Sequence, residues 1–69
     1  MLEKHSVNIL GHKTSFSLEP EFWNELKNIA NLKKQSISSL ITEIDSQRTN
    51  NLSSAIRVYV LKYYIEREK

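Results

Sequence analysis

The side chains able to carry acid–base, nucleophilic or metal chemistry are few in this sequence, and they are scattered along it. There is one aspartate, Asp45, and no cysteine; the histidines are His5 and His12, and the one glycine is Gly11. Without cysteine, disulfides and thiolate metal sites are excluded. Two histidines on an N-terminal segment are a weak metal signal, because a stable site needs three or four convergent ligands. A lone glycine leaves no glycine-rich phosphate loop, and no serine has a His–acid partner in the pattern. The chain therefore reads as no enzyme, and no cofactor is expected. What remains is polar patterning. Lys13, Ser15 and Ser17 alternate with larger or apolar residues, Lys33 and Lys34 stand together, and Ser36 and Asn51 each precede an apolar periodic stretch.

Those residues have to be positioned by a very short chain. It has 69 residues, 39% hydrophobic and 26% charged, with a net charge of +2. A core this small rarely supplies more than about 3–5 kcal/mol, so such chains lean on disulfides, metals or oligomerisation. With the first two set aside, a homodimer is expected. The pI near 9.0 permits nucleic-acid binding without demanding it. No apolar run approaches the length of a membrane span, and the N-terminus shows no secretory signal. The cytoplasm is the expected location, with no membrane partner.

One domain over residues 1–69 is expected. Residues 1–11 read as an N-terminal arm. Residues 12–18 read as the regular strand, because His12, Thr14, Phe16 and Leu18 alternate with Lys13, Ser15 and Ser17. Val7 and Ile9 have the opposite parity, and Gly11 lies between the two sets, where glycine suggests a bulge or phase change. Pro20 suits a first helical turn, and Phe22, Leu26, Ile29 and Ala30 follow at helical spacing, giving helix A over 20–33. Ser36 caps helix B over 37–46, and Asn51 caps helix C over 52–66. Helix C is apolar around its girth, which places it centrally or at a subunit interface.

A single strand cannot satisfy its own backbone N–H and C=O groups. Pairing with the same strand of a second copy, across a two-fold axis, is the economical solution. The expected fold is thus mainly α with one short β-strand, as a strand-swapped homodimer with an additional C-terminal helix. Phe16, Leu18, Ile56, Tyr59 and Val60 are the expected dimer core.

This layout resembles the ribbon-helix-helix DNA-binding proteins. The segments LEPEFW (18–23) and NLSSAIR (51–57) are similar to those of a bacterial subgroup of small members. The resemblance implies a homodimeric transcriptional regulator that inserts a two-stranded antiparallel ribbon into the DNA major groove. It implies base contacts by Lys13, Ser15 and Ser17, since lysine and serine donate to base edges. It also implies phosphate contacts by Ser36, Ile37 and Ser38 at a helix start, where free N–H groups favour anions, and by Lys33 and Lys34. The start of helix C, at Asn51–Ser54, is a rival phosphate site. The partners implied are a second copy and double-stranded DNA. Two alternatives stand: an interaction or dimerisation module that keeps the fold without DNA, with an unidentified protein partner, and an antitoxin-like autorepressor.

Overall fold

The computed structural model describes residues 1–67; the last two residues of the expected domain lie outside them. The chain runs β1 (Glu3–Ile9), β2 (His12–Leu18), α1 (Pro20–Leu32), α2 (Ile37–Gln47) and α3 (Leu52–Arg67). It is mainly helical, but it carries two strands rather than one. The residues expected to form an arm are the missing half of a hairpin.

β1 and β2 pair antiparallel, with Ile9 opposite His12, Val7 opposite Thr14, His5 opposite Phe16 and Glu3 opposite Leu18. The turn between them is the two residues Leu10 and Gly11, with φ of 51° and 83°. Positive φ at both central residues is the type I′ geometry, whose twist matches that of the flanking strands. This explains the parity change that looked like a broken strand. Each cross-strand pair sums to 21, an odd number, so odd residues of β1 share a face with even residues of β2. An antiparallel pair of identical strands across a two-fold axis needs an even sum. The pattern Val7, Ile9, then Phe16, Leu18 is therefore the signature of a hairpin within one chain.

β1 pairs with β2 along its whole length, so the backbone of β2 needs no strand from a second chain, contrary to the strand-swapped pairing expected from the sequence. Burial gives the hairpin its hold on the helices: Val7, Ile9, Phe16 and Leu18 all enter the core. Full burial of such side chains stabilises by about 1.5–3 kcal/mol each. Leu26, Ile29 and Ala30 of α1, Leu40, Ile41 and Ile44 of α2, and Leu52, Ile56 and Val60 of α3 complete that core. Phe16, Leu18, Ile56 and Val60 are thus closed over inside one chain, and Tyr59 is half-buried.

The helices start and stop for local reasons. Pro20 opens α1 after Glu19, whose extended backbone accepts the first helical bond from Trp23. α1 ends without glycine. Lys34 takes φ of 57°; its N–H donates to the Asn31 carbonyl at 3.1 Å and that of Gln35 to the Ala30 carbonyl at 3.0 Å. This is a Schellman closure with lysine where glycine is usual. Ser36 then caps α2, its Oγ accepting from the Ser39 N–H at 3.0 Å. Asn51 caps α3, its Oδ1 accepting from the Ser54 N–H at 2.8 Å.

Candidate nucleic-acid interface

The hairpin turns one face to the core and the other to solvent. The outer face carries the register pairs Lys4·Ser17, Ser6·Ser15 and Asn8·Lys13. Five of these side chains are exposed and Ser17 is partly buried. A two-residue turn makes Ile9·His12 a hydrogen-bonded pair, so alternation leaves the three outer pairs in the closer, non-hydrogen-bonded class. The face therefore holds two lysines, three serines and one asparagine, with no carboxylate among them.

Lys13, Ser15 and Ser17 thus share one solvent-facing row. Sequence reasoning missed the second row, Lys4, Ser6 and Asn8. Its signal was present in the alternation of 4, 6 and 8 against His5, Val7 and Ile9. Leu10 hid it, because the usual hairpin marker at that position is asparagine or aspartate before glycine.

Aromatic packing fastens β1 to α1. The His5 ring stacks on the Trp23 indole, with centroids 3.7 Å apart and planes 12° apart, and lies 5.7 Å from the Phe16 ring. His5 Nε2 is 3.9 Å from Glu3 Oε1 and has no hydrogen-bond partner. His12 is exposed beside the turn. His5 pairs with Phe16 and His12 with Ile9, four register steps apart, and the described residues hold no cluster of three metal-ligating side chains.

Two polar ties hold the far end of the ribbon. The Ser53 hydroxyl donates to the Ser17 carbonyl at 2.7 Å, which sets the first turn of α3 beside the C-terminal end of β2. Arg57 donates through Nε to Glu19 Oε1 at 2.8 Å. That hydrogen bond, with the guanidinium charge behind it, holds the Glu19 carboxyl below the usual carboxylate range. Tyr64 donates to Glu25 Oε1 at 2.6 Å, and the bond pushes the tyrosine's pKa up.

The expected phosphate contacts differ in availability. The N–H groups of Ile37 and Ser38, in the first turn of α2, have no acceptor within the helix. Lys34 is exposed. Lys33 is engaged: its Nζ donates to the Tyr59 hydroxyl at 3.2 Å and lies 3.9 Å from Glu43 Oε1. The Tyr59 bond is the main cause of an ammonium pKa raised above the ordinary lysine value. Arg48, beside the rival helix start, is likewise folded onto Asp45 Oδ1 at 2.6 Å and the Asn50 carbonyl at 2.7 Å.

With this geometry in place, comparison with known proteins adds one finding. A sequence model of the ribbon-helix-helix domain matches residues 2–64, β1 included. The chain belongs to the ribbon-helix-helix family. Members of the family are typically DNA-binding transcriptional regulators or antitoxins, and they generally dimerise. Ribbon-helix-helix domains are non-enzymatic regulatory folds. No curated protein and no solved structure matches the chain. In this ribbon-helix-helix chain both strands of a ribbon come from one polypeptide. Among the described residues no helix is long and apolar enough to cross a membrane.

Proposed function

We propose that this protein is a homodimeric transcriptional regulator that lays the outer face of its β1–β2 hairpin in the DNA major groove. The observation that carries this reading is the composition of that face: Lys4, Ser6, Asn8, Lys13, Ser15 and Ser17, two cations and no acid. An acidic face would have favoured a pure interaction module. Two strands about 4.8 Å apart fit a groove about 12 Å wide. The exposed Lys34 and the unpaired amides of Ile37 and Ser38 supply phosphate contacts that fix the register.

The dimer in this reading uses surface that one chain leaves open. Val58, Leu61 and Ile65 are 45%, 57% and 51% exposed and stand at helical spacing on the outside of α3. A helix apolar on both sides is covered on both sides in its working state, and a second copy supplies that cover here. The same row supports the second reading, a protein-interaction module, if a different protein takes the place of the copy.

The test is a gel shift against mixed-sequence duplex at 50 and 200 mM salt, with light scattering of the free protein. Binding that weakens steeply with salt is expected, as phosphate contacts release counterions. A folded protein that shifts no duplex at 50 mM salt overturns the DNA reading in favour of the interaction module.

A further inference from the structure

We infer that the cleft between the end of α2 and the side of α3 is a binding site for a small organic anion: a carboxylate on a two-ring aromatic body, its rings against Tyr59 and its charge at Lys62. This goes beyond DNA binding and stands whether or not the ribbon enters a groove.

The cleft measures about 290 Å³ and opens to solvent. An apolar cavity of about 150 Å³ holds benzene, so this volume takes two fused rings. Ile44 and Ala55 give it an apolar lining continuous with the core. Tyr59 supplies an aromatic wall. The Tyr59 hydroxyl accepts from Lys33 Nζ at 3.2 Å, which holds the ring in place without a ligand. Another wall is the loop after α2. Arg48 stiffens that loop, donating through Nε to Asp45 Oδ1 at 2.6 Å and through Nη1 to the Asn50 carbonyl at 2.7 Å. Both walls are therefore set before anything binds, which lowers the cost of binding.

The charge of the lining is one-sided. Arg48 and Lys62 line the cleft, and among the described residues no carboxylate does. The free carbonyls at the end of α2 bring partial negative charge to it, and Asp45 occupies Arg48. Lys62 is exposed and has no ion-pair or hydrogen-bond partner among the described residues. The uncommitted ammonium of Lys62 is thus the group that meets the carboxylate. The proposed pairing of copies leaves the cleft open. The side of α3 bearing Ala55, Tyr59 and Lys62 lies roughly a quarter turn from the row Val58, Leu61 and Ile65. Val58 stands at the border and belongs to both surfaces.

Amide chemical shifts of the full chain, titrated with 2-naphthoate, test this against 2-naphthamide, acetate and inorganic phosphate. 2-Naphthoate should give saturable shifts centred on residues 47–50 and 55–62, with a Kd of about 1 mM or below. The uncharged amide should bind about five-fold more weakly, the worth of one exposed charge pair. Lys62→Gln should weaken 2-naphthoate by the same factor and leave the amide's binding unchanged. It should also keep the wild-type melting curve, because Lys62 is exposed. Acetate and phosphate, with no rings to bury, should not saturate. The inference fails if 2-naphthoate leaves residues 47–62 unshifted up to its solubility limit, or if the amide or Lys62→Gln binds as tightly as the wild-type pair. It fails equally if phosphate produces the same shifts, which would mark a bare cationic patch.

Discussion

The His5 imidazole lies flat on the Trp23 indole, 3.7 Å between centroids, and so joins the first strand to the first helix. Val7 and Ile9 bury beyond it on the same strand face. The stack is the outermost of the contacts that hold β1 down.

Removing it should loosen β1 before anything else. Aromatic pairs contribute about 0.5–1.5 kcal/mol beyond the area they bury. His5→Ala is expected to cost about 1–2 kcal/mol in urea denaturation, with early loss of amide protection at residues 3–6. His5→Phe should retain most of the stability. Equal protection of β1 in wild type and His5→Ala would show that the hairpin does not depend on the stack.

Among the described residues, two other than glycine adopt positive φ, Leu10 at 51° and Lys34 at 57°. Left-handed backbone costs an ordinary L-residue roughly 1–2 kcal/mol. Leu10 is 86% exposed, so its side chain returns little packing. Leu10→Asn and Lys34→Gly are each expected to stabilise by about 0.5–1 kcal/mol, read as a rise in denaturation midpoint at unchanged m-value. Gly11→Ala is the control. Its added Cβ meets nothing within 4 Å, so any loss, expected at about 1–2 kcal/mol, is backbone strain alone. Lys34→Gly should at the same time weaken DNA binding, because it removes an exposed cation.

Glu19 and Arg57 tie the end of β2 to α3 across 38 positions of sequence. The Glu19 carboxyl has a lowered pKa in the folded chain, chiefly through the hydrogen bond from Arg57. A depressed folded pKa gives stability that is full above the unfolded carboxylate value and is lost as pH falls through the folded one. Melting temperature should therefore fall with acid below about pH 4.5, the ordinary value. Glu19→Gln should lie below wild type at pH 7 and show a shallower acid limb, the two curves converging as the wild-type carboxyl is protonated. An identical acid limb in both proteins would assign the acid sensitivity elsewhere.

Much of this was legible in the residues. Phe16 and Leu18 announce a strand by alternation, Pro20 a helix start, and Ser36 and Asn51 the caps that the side-chain bonds bear out. The first strand was not, for a physical reason. A two-residue turn reverses which parity faces the core, so Val7 and Ile9 looked out of phase with Phe16 and Leu18. With Leu10 where asparagine would flag the turn, the segment passed for an arm. Read that way, the backbone of β2 lacks a partner and calls for a second chain, whereas Glu3–Ile9 satisfies it. Half of the outer face, Lys4, Ser6 and Asn8, was lost with the same strand. The Glu19–Arg57 and Ser53–Ser17 ties join residues too far apart in sequence for any local pattern to show them.

The Leu10–Gly11 turn also decides the kinetic order of assembly. A ribbon built from two chains can form only by collision, at a rate that falls with dilution. A hairpin closes within its own chain on a scale of about 1–10 μs, whatever the concentration. The face bearing Asn8 and Lys13 is therefore complete within one chain, and the pairing of copies proposed above is a separate second-order step. A cell holding only a few copies would still hold finished hairpins, and on the proposed reading the encounter between copies would govern how tightly DNA is held rather than whether the outer face exists.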